Sequence, residues 1–251
     1  MISEPNPTPS YRVPSGTMVD GYRLIRCIGR GWESTSYLAT EETGEALRRV
    51  KLYRFADPDY LGLTVETFAR FHSIGIVPSC CGMGTWRRNR RKTIRFLVFD
   101  YIKGKPLKDI LRPCRWRRSW QPAAALGVLG GMAAKIAAVH KLDRAVGDFE
   151  RGGNILVQPN GDAMWCDLDT GSPEEPNTSF EGDRDHFFTI LDLLSAHQPE
   201  DDTVRRAERA LARFRDGEVT GRTFGYIARA LDRLRELSGM ATVSDVQVPN
   251  P

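Results

Sequence analysis

Long hydrophobic runs are missing from this 251-residue chain, which contains no stretch of about 18 consecutive apolar residues. That absence argues against a membrane-spanning helix. The N-terminal sequence MISEPNPTPSYRVPSG also lacks the positively charged start and the apolar centre of a secretory signal peptide. We therefore expect a cytoplasmic protein that is either free or peripheral to a membrane.

Cysteine motifs for metal binding are absent as well. The five cysteines are an odd number, and their spacing does not match that of metal ligands. A disulfide between the adjacent Cys80 and Cys81 would be strained, so the pattern predicts reduced thiols, as in a cytosolic protein. The complete set is Cys27, Cys80, Cys81, Cys114 and Cys166.

The composition is that of an ordinary globular protein, with 41% hydrophobic and 27% charged residues. The length suffices for one large domain or for two small lobes. The formal net charge of +4 favours anionic partners, such as phosphates, nucleic acid or an acidic protein surface.

The hydrophobic periodicity changes near residues 102 to 106. Before this point it predicts the order β-β-β-α-β-β, with the helix over 58–74. After this point, apolar and amphipathic patterns predict helices over 122–141, 184–196, 202–216 and 221–238. The expected segments are a flexible leader at 1–18, a β-rich lobe at 19–103, a helical lobe at 104–243 and a flexible tail at 244–251.

A turn rich in small residues joins the first two long strands. Gly29 and Gly31 give G-x-G, and Ser34 stands where a third glycine would complete G-x-G-x-x-G. Small residues allow the backbone N–H groups of a turn to approach phosphate oxygens. A tight β-hairpin without a ligand is the alternative interpretation.

Three further features of the front half fit a nucleotide site. Lys51 ends the next strand, where it can neutralise the α- and β-phosphates, and Glu66 on the following helix can form an ion pair with it. The segment RFLVFDYIKGKPL, with Asp100 and Ile102, is a linker whose backbone can read an adenine edge. A solvent-exposed lysine and a surface glutamate are the alternatives.

The segment from Ala138 to Ser172 places three candidate site residues around a predicted β-hairpin. Asp148 lies in a Gly-containing loop, Asn154 opens the first strand, and Asp167 ends the second. Asp148 is a candidate base, and Asn154 and Asp167 are candidate ligands for Mg²⁺, which prefers hard oxygen ligands. The alternative is a hairpin that is merely rich in turn-forming residues.

These motifs resemble the protein-kinase-like superfamily from about Gly21 to Leu194. IGRGWESTSY is similar to the Gly-rich loop, VK to the third-strand lysine, FLVFDYIKG to the hinge, and CDLD to the metal-binding DFG motif. The resemblance implies an α+β, bilobal fold with a β-rich N-lobe and a shortened helical C-lobe. It also implies ATP and Mg²⁺ as cofactors, and transfer of the γ-phosphate to an acceptor hydroxyl.

The resemblance also assigns roles to the acidic residues. The spacing of thirteen from Asn154 to Asp167 is the usual one in this family, which favours Asp167 over Asp169 as the metal ligand, although Asp169-Thr-Gly171 also reads as D-x-G. Either Asp183 or Asp185 fits the buried aspartate that braces the catalytic loop.

The chain departs from the family pattern at the catalytic loop. Val146-Gly147-Asp148 replaces the HRD triplet, and one extra residue separates Asp148 from Asn154. Glu150 occupies the position of the catalytic-loop lysine, and the neighbouring Arg151 is the candidate to substitute for it.

The chain beyond the site is short. Only seventeen residues separate Asp167 from Asp185, too few for a full activation segment, and the A-P-E motif is missing. A serine or threonine of a protein is the expected acceptor, and the hydroxyl of a sugar or of a lipopolysaccharide core is the alternative. A nucleotide-binding pseudokinase scaffold is a further alternative, because the catalytic loop is altered.

The sequence also contains two basic clusters with tryptophan: Arg87 to Lys92, preceded by Trp86, and Arg115 to Trp120. The second is a candidate docking site for an acidic partner or a substrate. A nucleic-acid-binding function would rest on these clusters alone and is not favoured.

Overall fold

A computed structural model of the chain describes residues 12–44, 46–54, 57–90, 92–111, 122–168, 179–197, 201–217, 219–220 and 222–237. The chain divides into two compact units. The first comprises Met1–Arg70 and Pro78–Tyr101, and the second comprises Phe71–Val77 and Ile102–Pro251.

The first unit is built on a six-stranded antiparallel sheet with the order β1-β2-β3-β4-β6-β5. Its core consists of β-branched and aromatic side chains on one face of the sheet, including Val50, Phe96 and Val98. Such residues favour strands because they pack well on a pleated surface. In chain order, strands β1 to β6 are Met18–Val19, Tyr22–Arg30, Ser34–Glu41, Leu47–Tyr53, Cys80–Asn89 and Lys92–Asp100.

Helix α1, Pro58–His72, follows β4. Asp57 caps its start, because Asp57 Oδ1 accepts a hydrogen bond from Asp59 N at 2.9 Å, and Pro58 occupies the first helical position. Phe68 packs on Phe99 of β6 with ring centroids 4.7 Å apart. Burial of each ring contributes about 1.5–3 kcal/mol.

The second unit contains five helices and a small sheet among its described residues. The helix Pro122–His140 is apolar around most of its circumference, which is typical of a helix packed in a core. The helices are α2 (Leu107–Ile110), α3 (Pro122–His140), α4 (Phe180–His197), α5 (Asp202–Arg215) and α6 (Thr223–Leu237). The sheet, in the order β7-β8-β9, consists of Lys105–Pro106, Ile155–Val157 and Ala163–Trp165.

A short strap of chain, Phe71–Val77, belongs to this second unit although it lies far from it in sequence. Ile76 and Val77 are fully buried. The carbonyl of Ile76 accepts a hydrogen bond from Trp165 N at 2.9 Å, which ties the strap to β9.

The elements confirm the predicted α+β class, with two local differences. Helix α4 begins at Phe180, four residues before the predicted start, because Ser179 caps it through a 2.9 Å bond from Gly182 N to Ser179 Oγ. Residues 12 to 18 are part of the folded sheet unit rather than of a flexible leader. Val13 is buried there, and its N–H donates to Tyr37 Oη at 2.9 Å.

No disulfide joins the cysteines of the described residues, and Cys114 lies outside those residues. Burial raises the pKa of Cys80, and burial together with a hydrogen bond to Asp100 raises the pKa of Cys81. Both therefore stay protonated, and weakly nucleophilic, at neutral pH. No helix within the described ranges is long and apolar enough to cross a membrane.

Gly104 lies where the chain enters β7, and we expect the substitution Gly104→Ala to destabilise the protein. A Cβ at position 104 would lie 2.8 Å from Val157 O and 3.2 Å from the Val157 carbonyl carbon, so the backbone would have to move. The expected loss in the free energy of unfolding is about 1–3 kcal/mol, measured by urea denaturation.

Gly131 in α3 supplies the matched control. A Cβ there meets no atom within 4 Å, so Gly131→Ala should leave stability unchanged or raise it by up to about 1 kcal/mol. Equal effects of the two substitutions would show that the close approach of Gly104 to β8 is unimportant.

Candidate active site

The loop after α3 carries Asp148, and the side-chain amide of Asn154 holds its carboxylate. Asn154 Nδ2 donates to the backbone oxygen of Asp148 at 2.8 Å and to Asp148 Oδ2 at 2.7 Å. The Asp148 residue remains exposed. The structure thus brings these two predicted site residues together and orients the carboxylate toward one side of the loop.

The backbone of this loop turns through left-handed conformations. Gly147 and Asp148 have φ values of 62° and 43°, and Arg151 and Gly152 have φ values of 52° and 72°. Left-handed non-glycine residues are uncommon and are strained. In this conformation the Asn154 side chain reaches Asp148, six positions earlier in the chain. Arg151 lies exposed in a single 3-10 turn, Glu150–Gly152.

A buried carboxylate braces the loop from below. Asp183 Oδ2 accepts from Val146 N at 2.8 Å, and Asp183 Oδ1 accepts from Gly147 N at 2.8 Å. His140 Nε2 lies 2.8 Å from Asp183 Oδ2, and both side chains are fully buried. Of the two candidates, the structure therefore selects Asp183; Asp185 is exposed and pairs with Arg184.

Phe149, directly after Asp148, anchors the loop from the other side. Its fully buried ring packs edge-to-face against Trp165, with centroids 5.7 Å apart, and against His186 at 5.1 Å. Sequence reasoning missed the supporting roles of Phe149, Trp165 and His140. In the sequence, these three residues appear only as aromatic side chains or a histidine near a candidate catalytic segment. Ordinary core residues show the same pattern, so the sequence alone could not identify their roles.

The β8–β9 hairpin places Asn154 beside the start of the Asp167 segment. Cys166 N donates to Asn154 O at 2.8 Å, and Ile155 pairs with Trp165. Asp167 follows directly, so it is a near neighbour of Asn154 across the hairpin. Lys135 of α3 fixes the turn, because its Nζ lies 2.6 Å from Asp162 Oδ1.

The donor set at this hairpin fits a magnesium ion. Asn154 uses its amide nitrogen in the two bonds to Asp148, so its amide oxygen is the atom that would bind a metal. Asp167 adds a partly exposed carboxylate. No group of three or more His, Cys, Asp or Glu side chains suited to a metal occurs within the described residues. Mg²⁺ requires no such group, because it takes phosphate and water oxygens as well. Asp169 lies outside the described residues.

The small-residue turn lies between β2 and β3 of the first unit. Gly31 N donates to Ser34 O at 2.9 Å and closes the turn, and Ser34 is buried. Neither Gly29 nor Gly31 has a left-handed φ, and the nearest atom to an added Cβ is 3.8 Å away in each case. Packing does not demand glycine at either position, whereas close approach of a ligand to the backbone would.

Lys51 lies in the middle of the same sheet, where β4 pairs with both β3 and β6. It is only 5% exposed, and its Nζ lies 5.1 Å from the ring centroid of Tyr53. Glu66 is exposed on α1 and forms no ion pair within the described residues. The predicted Lys51–Glu66 ion pair is therefore not formed in this structure, because the carboxylate faces solvent while the ammonium is buried.

The end of β6 carries Asp100, one of the predicted nucleotide contacts. Its carboxylate is engaged by Arg48 and lies 3.3 Å from Cys81 Sγ. Asp100 N donates to Ser79 O at 3.0 Å. These bonds engage both the carboxylate and the backbone N–H of Asp100. Ile102 belongs to the second unit and is buried.

The two basic clusters differ in what the structure describes. Arg87, Arg88 and Arg90 are exposed at the end of the β5–β6 hairpin, where β5 is the edge strand. The cluster from Arg115 to Trp120 lies outside the described residues, so its predicted role as a docking site for an acidic partner stays a prediction.

Comparison with known proteins gives matches in structure alone. No family model matches the chain, and no curated protein matches its sequence. The kinase domain of Mycobacterium tuberculosis PknI, in a mutant form, has a TM-score of 0.61 at 16% identity, covering 91% of this chain and all of that one. The same PknI domain, in a structure with no mutation named, has a TM-score of 0.58 at 15% identity, covering 89% of this chain and all of that one.

A kinase domain from Plasmodium, PF14_0431, is similar over less of the chain. It has a TM-score of 0.56 at 10% identity, covering 75% of this chain and 67% of its own. At such identities the matches establish the fold, and the activity has to be argued from the residues of this chain. The strand order of the first unit, the braced loop and the hairpin of the second, and these matches show that the chain has a protein-kinase-like fold.

Proposed function

We propose that this protein is an ATP-dependent phosphotransferase that uses Mg²⁺. The observation that carries the proposal is the Asp148–Asn154 pair, with Asp167 next to it across the hairpin and Asp183 bracing the loop from below. A surface hairpin has no need of an exposed carboxylate held by an amide on a strained loop. A phosphotransferase needs one to orient an acceptor hydroxyl.

The proposed roles follow from the chemistry of each side chain. Asp148 accepts the proton of the acceptor hydroxyl, and the two hydrogen bonds from Asn154 keep its carboxylate in one orientation. The bound metal would neutralise the developing charge on the phosphates. Asn154 and Asp167 would hold it through hard oxygens, with Asp169 as the alternative ligand. Arg151 is the candidate for stabilising the transferred phosphate.

The residues that would contact the nucleotide lie in the sheet unit, except Ile102, which belongs to the second unit. Gly29, Gly31 and Ser34 would offer backbone N–H groups to the phosphates, and Lys51 would contact the α- and β-phosphates. The backbone of Asp100 and Ile102 would contact the adenine. Support comes from two glycines that packing does not require and from a lysine kept buried within a sheet.

The acceptor we propose is a serine or threonine of a protein. The hydroxyl of a sugar or of a lipopolysaccharide core is the alternative, because only seventeen residues separate Asp167 from Asp185. A pseudokinase scaffold is favoured by one observation, the exposed Glu66 that does not form the expected ion pair with Lys51.

Mg²⁺-ATP is expected to stabilise the wild-type protein and not the Asp167→Ala variant. At ten times the dissociation constant, one site adds about 1.4 kcal/mol, which raises Tm by about 3–6 °C for a chain of this size. Asp167→Ala should reduce the shift to below about 1 °C, because a metal ligand is lost. Differential scanning fluorimetry with and without Mg²⁺ measures it.

The control is Asp216→Ala, which removes an exposed carboxylate at the end of α5 and should keep the full shift. No shift of the wild type at millimolar ATP would contradict both the kinase and the nucleotide-binding scaffold. Labelled γ-phosphate found in protein, or in the lipid-sugar fraction, would then distinguish the two classes of acceptor.

A further inference from the structure

Four side chains form a continuous patch where the end of α5 meets the first turns of α6. We call it the arginine–aromatic patch: Arg213, Phe214, Tyr226 and Arg229. The guanidinium carbon of Arg213 lies 4.6 Å from the Phe214 ring centroid, and that of Arg229 lies 4.7 Å from the Tyr226 centroid. The two rings are nearly parallel, at 9°, with centroids 6.5 Å apart.

The patch is exposed and carries positive charge that the fold does not neutralise. Tyr226 is 46% exposed, and Arg213 and Arg229 are both exposed. Neither arginine forms an ion pair within the described residues. Arg215, two residues away, shows the contrast, because it binds both oxygens of Asp192 at 2.9 and 2.5 Å.

The geometry of the arginines selects the kind of ligand. A guanidinium that lies over an aromatic ring keeps its N–H groups in its own plane, available at its edge. That edge matches the two oxygens of a carboxylate in a bidentate pair. The ring beneath limits the rotation of the side chain, so less conformational entropy is lost when the pair forms.

Carboxylates as well as further arginines border the patch. Asp216 follows the end of α5, and Asp232 lies one turn beyond Arg229, where it pairs with Arg235. Both are exposed and interrupt the positive charge of the neighbouring exposed arginines Arg222 and Arg233, so that part of the continuous charge of a nucleic acid or of an anionic membrane would be repelled. A peptide that presents one or two carboxylates to the arginines and an apolar group to the rings avoids this repulsion.

We propose that the arginine–aromatic patch binds a short acidic segment of a partner protein. The patch carries none of the residues assigned to phosphoryl transfer, so this inference stands independently of the proposed function. It adds a second recognition surface, on the last two described helices of the chain.

The test uses a fluorescein-labelled peptide of six glutamates and measures fluorescence anisotropy with the full-length protein. A peptide of six glutamines with the same label reports on binding of the dye. The double variant Arg213→Ala/Arg229→Ala is expected to weaken binding of the glutamate peptide at least tenfold, a typical loss for two charge-assisted pairs. The double variant Arg206→Ala/Arg209→Ala removes the same amount of charge, from α5 alone, at arginines that lie 2.6 and 3.9 Å from Asp202, and should change affinity less than twofold.

A second pair of variants separates shape from charge. Arg213→Lys/Arg229→Lys keeps the charge and the fold but loses the planar fork, and should weaken binding about fivefold. Equal affinity of the glutamate peptide for the wild type and Arg213→Ala/Arg229→Ala would overturn the proposal. Equal losses in the two alanine pairs would overturn it too, as would patch-dependent binding seen only with a dT12 oligonucleotide or with phosphatidylserine vesicles.

Discussion

Replacing Asp183 by alanine is expected to lower the free energy of unfolding by about 3–5 kcal/mol, because a buried hydrogen-bond network then loses its shared acceptor. The carboxylate accepts from two backbone N–H groups, those of Val146 and Gly147, and pairs with His140. All of these groups are buried, so water cannot replace the lost oxygens. The expected fall in Tm is about 6–20 °C for a chain of this size.

Two further substitutions sharpen this result. Asp183→Asn keeps one acceptor oxygen but turns an amide N–H₂ toward a backbone donor, so its stability should fall between those of the wild type and Asp183→Ala. Asp185→Ala, at a side chain that is 66% exposed, should cost less than about 0.5 kcal/mol. Urea denaturation followed by circular dichroism measures all three. Similar losses for Asp183→Ala and Asp185→Ala would contradict the role of Asp183 as the brace.

The substitution Asp148→Asn is expected to reduce phosphoryl transfer by about 10²- to 10⁴-fold, the usual contribution of a general base. An asparagine at this position can still accept a hydrogen bond from Asn154 through its amide oxygen, so the loop geometry should persist. It cannot accept the proton of the acceptor hydroxyl. Stability and the Mg²⁺-ATP thermal shift should therefore stay within experimental error of the wild type, while label transfer is lost.

Asp143 offers a close control for this experiment. Like Asp148 it is an exposed aspartate with a left-handed backbone, with φ values of 56° and 43° respectively. Asp143→Asn makes the same chemical change in the same conformation and should keep activity within about twofold, since asparagine tolerates this region. Full activity of Asp148→Asn would remove Asp148 as the base. ATP binding without any label transfer by the wild type would favour the scaffold.

The architecture was predictable because two different periodicities mark the two units. The alternation in YRLIRCIG of β2 and the apolar pattern of α3 are local properties of the sequence, and local patterns define secondary structure. The hairpin bearing Asn154 and Asp167 was predictable for the same reason, since a Pro-Asn-Gly turn separates two short apolar runs. The predicted fold class therefore agrees with the observed elements.

Properties that depend on side-chain direction were not predictable. Asp183 and Asp185 lie two positions apart in the first turns of α4, and only the packing of that helix decides which one is buried. Likewise Lys51 and Glu66 have suitable chemistry at suitable spacing, yet α1 presents Glu66 to solvent. The path of the loop before Asn154 depends on left-handed backbone angles at Asp148 and Arg151. Such angles are uncommon outside glycine, so the residue types did not predict them.

The strap Phe71–Val77 makes the helical unit discontinuous in sequence, with consequences for any attempt to dissect or shuffle this protein. A fragment that starts at Ile102 would lose the buried side chains of Ile76 and Val77 and the acceptor for the Trp165 N–H. One cut in the gene therefore cannot release the helical unit intact. During synthesis, the strap leaves the ribosome well before the strand it bonds to, so the helical unit completes its fold only after β9 has been made.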